Sequence, residues 1–103
     1  MAEKEYIIPY REDIRKRHYH KTKRGKVVSF AVQLEVKVSD KWKEVVRYDC
    51  AHGYAHRDSY NLRGGRAKIN LNLGFEETLT LADDDLDDNW ESYRNQFLEG
   101  GSP

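Results

Sequence analysis

The chain has 103 residues, of which 38% are hydrophobic and 35% charged, with 18 basic and 18 acidic residues. It has the length of one domain, no apolar run long enough to span a membrane, and a single cysteine, Cys50. These properties exclude membrane proteins, disulfide scaffolds and multidomain enzymes. We therefore expect one cytoplasmic domain over residues 1–103.

The first predicted elements are a short edge strand and a basic segment. Glu5–Tyr10 is apolar but contains a proline, which is typical of a sheet edge. Arg11–Lys26 is an ordered hairpin or a mobile arm, with histidines and a tyrosine among its cations. Cations interleaved with aromatic residues suit an RNA backbone with stacked bases. The candidate nucleic-acid contacts are Arg11, Arg15, Lys16, Arg17, Lys21, Lys23 and Arg24, together with Arg47.

The next predicted elements are four strands. Apolar residues recur at every second position in Lys26–Ser39 and in Ala67–Leu73, so each is predicted to bury one side. Trp42–Tyr48 is predicted to be the hairpin partner of the first of these, and Tyr54–Tyr60 a further strand. Glycines and short polar turns separate these strands, which favours hairpin connections between consecutive strands. Residues 27–73 are therefore predicted to form antiparallel strands.

Phe75–Leu98 is predicted to be a helix, because its apolar residues recur every three or four positions. Residues 99–103 are expected to be a frayed tail. The sequence thus indicates an α+β fold, an antiparallel meander sheet of four to six strands with one long C-terminal helix packed on one face. The other face would be open to solvent or to a partner. Leu81 and Leu98 lie off the apolar stripe, which favours a homodimer or a bound protein.

Charge is segregated along the chain. Met1–Tyr48 has a net charge of +6 and Asp49–Pro103 a net charge of −6, counting Lys, Arg, Asp and Glu. Five aspartates lie within residues 83–88 of the helix. Three interpretations of these aspartates are open. They form a solvated helix face, they bind a basic partner or a metal, or they neutralise the basic segment of the same chain.

The segment from Asp49 to Asp58 contains half of the histidines and is the candidate site. In one interpretation Asp49, His52 and His56 bind a divalent metal, with Asp58 as a further candidate ligand. In a second, His52 and His56 act as acid and base on RNA without a cofactor. Asp49 or Asp58 orients a histidine, and Arg57 or Arg47 holds the phosphate. In a third, the polar residues only satisfy backbone groups at a strand break.

The run R-Y-D-x-A-H-G-x-x-H, which spans Arg47 to His56, resembles the central signature of TumE-type toxins of bacterial and archaeal toxin–antitoxin modules. It is still more similar to a family of small uncharacterised prokaryotic proteins that also has D-x-x-x-N-W in its C-terminal helix. The resemblance to the toxins implies a compact α+β protein that acts on RNA or translation and is held inactive by an antitoxin. It points to Arg47, Asp49, His52 and His56. TumE-type sequences tend to end the motif in H-x-H, where this chain has His56, Arg57 and Asp58.

The sequence therefore predicts a small RNA-directed protein, a toxin-like endoribonuclease that uses the His, Asp and Arg cluster. The alternative is a non-enzymatic interaction module or homodimer, whose cluster is structural or binds a metal.

Overall fold

The computed structural model describes residues 1–51 and 53–103, and within these residues six strands precede one helix. The elements are β1 (Ala2–Arg11), β2 (Ile14–Lys23), β3 (Lys26–Val38), β4 (Lys41–Asp49), β5 (His56–Tyr60), β6 (Arg66–Asn70) and α1 (Phe75–Leu98). The strands form one antiparallel sheet in chain order. The predicted α+β meander with a C-terminal helix on one face is confirmed.

Two-residue turns fix the register of the central strands. Arg24 and Gly25 connect β2 to β3 with φ values of 54° and 77°, and Ser39 and Asp40 connect β3 to β4 with φ values of 52° and 63°. Consecutive positive φ values match the right-handed twist of antiparallel hairpins. The segment Arg11–Lys26, predicted as an arm or a hairpin, is therefore a hairpin strand with its two turns.

The hydrophobic core lies between the sheet and α1, which packs mainly on β3 and β4. Phe30, Val32 and Leu34 alternate along β3 with Ala31 and Gln33, so one face of the strand meets Leu86 and Phe97 of the helix layer. The intervening residues point to the opposite face of the sheet. We refer to that opposite face, which α1 does not cover, as the uncovered face.

Three of the five aspartates of α1, Asp83, Asp85 and Asp87, contact polar side chains of the sheet. Asp83 lies 3.1 Å from Lys16 Nζ and 3.0 Å from His18 Nδ1, while Asp87 lies 2.9 Å from Lys16 Nζ. Tyr10 donates a 2.5 Å hydrogen bond to Asp87. These contacts confirm the interpretation in which the basic segment neutralises the acidic helix of the same chain.

The prediction that the strand over Ala67–Leu73 buries one side needs correction. β6 was expected to bury one side, but all of its residues are exposed and Ile69 is 52% exposed, because α1 packs over the centre of the sheet and not over this edge. The tail contacts the domain, since the carbonyl of Pro103 accepts 3.4 Å hydrogen bonds from Arg57 and Gly101 N donates to Gln96 O. Among the described residues, no helix has the length and apolar character that crossing a membrane requires.

Candidate functional site

Two transverse rows of side chains cross the uncovered face of the sheet. Along the strand register, the first row is Glu5, Tyr19, Ala31, Asp49, His56 and Asn70, and the second row is Ile7, Arg17, Gln33, Arg47, Asp58 and Lys68. Directly paired residues of neighbouring strands project to the same face and lie side by side. The candidate residues of β4 and β5 are therefore continuous with the basic and aromatic residues of β2.

Asp49, His56 and Asp58 form a buried cluster in these rows. His56 Nε2 lies 2.5 Å from Asp49 Oδ1 and 3.8 Å from Asp58 Oδ2, and the three side chains are 2–8% exposed. One potential ligand atom from each residue lies within 4.8 Å of the other two. We call these three residues the acidic–histidine cluster.

A tight reversal of the chain brings the cluster together. The N–H of Gly53 donates a 3.0 Å hydrogen bond to the carbonyl of Cys50, and Gly53 has a φ of 82°, which favours glycine. Because the chain turns back here, Asp49 of β4 pairs directly with His56 of β5. If the chain from Asp49 to His56 were one extended strand, these two residues would lie far apart, so the sequence alone does not predict their contact.

Asp49 is held in its charged form by several donors. Arg47 Nε donates a 2.5 Å hydrogen bond to Asp49 Oδ2, and the backbone N–H of Ala51 donates at 3.2 Å to Oδ1. Burial alone would raise the pKa of Asp49, but these hydrogen bonds and the charge of Arg47 outweigh burial and lower it. Asp49 is therefore an anion at neutral pH.

Asp58 is in a different electrostatic environment. The residue is 4% exposed, and its Oδ1 is the one buried side-chain nitrogen or oxygen atom in the described part of the chain that lacks a hydrogen-bond partner. Arg47 lies opposite Asp58 in the sheet but donates to Asp49 and to Gln33. A buried carboxylate oxygen without a partner is unfavourable and rare.

A depression of about 340 Å³ lies beside the cluster on the uncovered face, and its lining includes Arg17, Tyr19, Ala31, Gln33 and Arg47. A second depression of about 350 Å³ adjoins it and is lined by residues that include Asp49. The two share three of their lining residues. We call the two together the sheet depression. It connects the basic and aromatic part of β2 to the acidic–histidine cluster.

The structure brings together only part of the predicted catalytic set. Asp49 and His56 are in contact, and Arg47 adjoins them. His52 lies outside the described residues. The prediction that Arg57 holds a phosphate beside His56 needs correction, because consecutive residues of a strand point to opposite faces. Arg57 faces the helix layer, where its Nε donates to Tyr48 Oη at 3.2 Å.

The predicted nucleic-acid contacts are also divided between the two faces. Arg15, Arg17 and Lys21 of β2 lie on the uncovered face with Arg47, and these four residues form ion pairs of 2.5 to 3.8 Å with neighbouring carboxylates. Lys23 and Arg24 lie at the turn between β2 and β3.

Lys16 and Arg11 instead pair with carboxylates of α1, and Lys16 is 2% exposed. Their side chains neutralise the acidic helix and are not available to a ligand on the uncovered face.

The sequence analysis did not identify Ala31 and Gln33 as site residues. Ala31 is the small residue between Tyr19 and Asp49 in the first row, and Gln33 bridges Arg47 and Glu35 through its side-chain amide. The available signal was their alternation with the apolar residues of β3, which predicts that both point away from the core.

A family model described as a domain of unknown function, DUF7718, matches residues 1–102. No curated protein and no solved structure matches the chain. The resemblance to TumE-type toxins, the RNA-directed function, the antitoxin-like partner and the homodimer therefore stay predictions.

Proposed function

We propose that this chain, which belongs to the DUF7718 family of domains of unknown function, binds single-stranded RNA on the uncovered face of its sheet. The observation that carries the proposal is that Arg17, Tyr19 and Arg47 line one depression of that face, which Glu5 and Glu44 also line. An aromatic ring flanked by guanidinium groups matches a base flanked by phosphates, and exposed sheet faces with such residues stack unpaired bases.

The strand register supports a stacking site at Tyr19. Ala31 separates Tyr19 from Asp49 in the first row, and two strand spacings, roughly 10 Å, lie between the outer two residues. Because Ala31 has only a methyl side chain, the space beside the Tyr19 ring is open. Arg17 and Arg47 lie on either side of Gln33 in the next row, so each can contact a different phosphate.

The charge distribution favours approach of an anionic ligand to the sheet. Helix α1 (Phe75–Leu98) contains eight acidic residues and one basic residue, so the remainder of the chain has 17 basic and 10 acidic residues. The helix packs on one face only, and the uncovered face is therefore the side remote from most of the acidic charge. Long-range attraction of this kind raises association rates with nucleic acids.

RNA cleavage is the second candidate activity, and the observation in its favour is the chain of contacts from the depression through Arg47 and Asp49 to His56. Arg47 lines the depression and bonds to Asp49, which in turn contacts His56 Nε2. His56 is 2% exposed, so this activity requires the imidazole to become accessible when RNA binds. An RNA ligand and a single cysteine, Cys50, both agree with the cytoplasmic location that we expect.

Fluorescence anisotropy with a labelled single-stranded RNA, in EDTA and at low ionic strength, tests the binding proposal. We expect Tyr19→Ala to weaken binding by about fivefold or more, since stacking on an aromatic side chain contributes about 1–3 kcal/mol per base. Ala31→Phe should weaken binding as strongly, because it fills the depression and leaves every charge in place. Ala31 lies on the uncovered face, so the larger side chain does not enter the core.

The matched control for the charged residues compares Arg17→Gln with Arg63→Gln. Arg63 is exposed on the turn between β5 and β6, so its substitution should leave affinity unchanged. Arg17→Gln should lower the affinity and the salt dependence of binding together. Absence of RNA binding by the wild type, or equal effects of the two arginine substitutions, would contradict the proposal. Incubation of end-labelled RNA with the wild type and His56→Gln separately tests cleavage.

A further inference from the structure

We infer that the acidic–histidine cluster binds a divalent first-row transition ion of the Zn²⁺ class. The cluster offers one imidazole nitrogen and two carboxylate groups, which are donors that these ions accept. The ligand atoms of Asp49, His56 and Asp58 lie within 4.8 Å of one another. The inference concerns a site beside the sheet depression and does not depend on RNA binding.

The distances within the cluster are close to those of a coordination shell. Zn²⁺ bonds of 2.0–2.1 Å in a tetrahedral arrangement separate neighbouring ligand atoms by roughly 3.3 Å. His56 Nε2 is 2.5 Å from Asp49 Oδ1 and 3.8 Å from Asp58 Oδ2, so one separation is shorter and the other longer than this value. Both separations differ from it by less than about 1 Å.

Asp58 provides an independent reason to expect a cation. Its Oδ1 is buried and has no hydrogen-bond partner among residues 1–51 and 53–103. A second carboxylate, Asp49, lies in the same cluster and adds to the negative charge there. Arg47 donates to Asp49 and Gln33 and does not satisfy this oxygen. A bound cation would give Asp58 a partner and would offset the negative charge of both aspartates.

Metal binding would release a proton from the cluster and would leave one coordination position of the metal open. The metal binds the neutral imidazole through Nε2, so any proton that this atom shares with Asp49 is released to solvent. Three protein ligands leave at least one coordination position for water or another oxygen ligand. Asp49 lines the sheet depression, so the depression is the solvent-filled space that lies nearest to this position.

The test uses the full-length protein without a histidine tag, first treated with EDTA and then dialysed. We expect calorimetry to show one equivalent of Zn²⁺ bound and the thermal midpoint to rise as Zn²⁺ is added. Co²⁺ should produce visible absorption bands of a low-symmetry site. Asp58→Asn should weaken Zn²⁺ binding by at least about tenfold and should remove the Co²⁺ bands.

Two further variants make the test specific. Asp88→Asn removes an exposed carboxylate of α1 and should bind Zn²⁺ like the wild type. His56→Gln should not bind; if it does not fold, the isosteric Asp58→Asn still decides the question. No Zn²⁺-dependent rise in the midpoint, or a rise that persists in Asp58→Asn, would overturn the inference. RNA binding is measured in EDTA, so failure here is distinguishable from failure of the proposed function.

Discussion

Arg47 Nε lies 2.5 Å from Asp49 Oδ2, and this ion pair joins the sheet depression to the buried cluster. The side chain of Arg47 is 32% exposed, whereas that of Asp49 is 8% exposed. Arg47 can therefore contact a ligand that arrives from solvent, while Asp49 contacts His56. A phosphate bound by Arg47 would compete with Asp49 for the guanidinium group, so ligand binding in the depression changes the electrostatics of the cluster.

The two aspartates of the cluster should differ in their contribution to stability. Asp49→Asn removes the charged acceptor of Arg47 and the partner of His56, and should lower the free energy of unfolding by about 2–3 kcal/mol. Asp58→Asn removes a carboxylate of which one oxygen already lacks a hydrogen-bond partner. This substitution should therefore change the free energy of unfolding by less than about 1 kcal/mol in EDTA. Urea unfolding measures both values, and equal losses would contradict this description of Asp58.

Lys16 is a structural cation in this fold. It is 2% exposed, and its Nζ lies 2.9 Å from Asp87 and 3.1 Å from Asp83. Lys16→Met should lower the free energy of unfolding by about 1–3 kcal/mol, because it leaves two partly exposed carboxylates without their cation. The exposed Lys43 is the control, and Lys43→Met should change stability by no more than about 0.5 kcal/mol. Equal stabilities for the two variants in urea unfolding would refute the assignment.

The contact between Asp87 and the sheet should make stability depend on pH. Burial alone would raise the pKa of Asp87, but hydrogen bonds from Tyr10 and Lys16 outweigh burial and lower it. A folded-state pKa below the unfolded value of about 3.9 means that ionised Asp87 stabilises the fold above that pH. This stabilisation is lost as the pH falls through the folded-state pKa.

Thermal midpoints of the wild type and Asp87→Asn should therefore differ at neutral pH and converge at strongly acidic pH. Asp88→Asn is the control, because Asp88 is exposed on the same helix. A midpoint difference between the wild type and Asp87→Asn that is constant across the acid range would show that Asp87 does not act through its charge.

The turn between β3 and β4 can be stabilised by substitution. Ser39 and Asp40 both have positive φ values, of 52° and 63°, which Asn and Gly adopt more easily. The double substitution Ser39→Asn and Asp40→Gly should raise the free energy of unfolding by about 1 kcal/mol. In denaturant unfolding, we expect a higher midpoint concentration and an unchanged dependence of the free energy of unfolding on denaturant concentration. A lower midpoint would show that the turn is not of this type in solution.

The sequence predicts well those elements whose burial is visible as a periodic pattern. The helix is observed at its predicted bounds, Phe75–Leu98, and the strand predicted over Lys26–Ser39 ends one residue earlier. In both, one apolar face meets the core, so the local pattern contains the necessary information. β2 was ambiguous because Lys16 and His18 occupy its buried face, and their partners, Asp83 and Asp87, lie in α1.

The candidate site was predictable in its residues but only partly in its arrangement. The composition of the segment from Asp49 to Asp58 identified it, yet the pairing of Asp49 with His56 depends on the reversal at Gly53. The face of each residue follows from the register, which shows that Arg57 points away from His56 and that Asp58 points toward it. A single sequence does not contain this register in any local pattern.

The most direct test of the RNA-binding proposal is to follow the backbone amide resonances of the ¹⁵N-labelled protein while a short single-stranded RNA is added. We predict progressive, salt-sensitive shifts for Arg17, Tyr19, Ala31 and Arg47, with little change along the exposed side of α1. Shifts confined to the helix or to the exposed edge strand β6, or no shifts at saturating RNA, would contradict it.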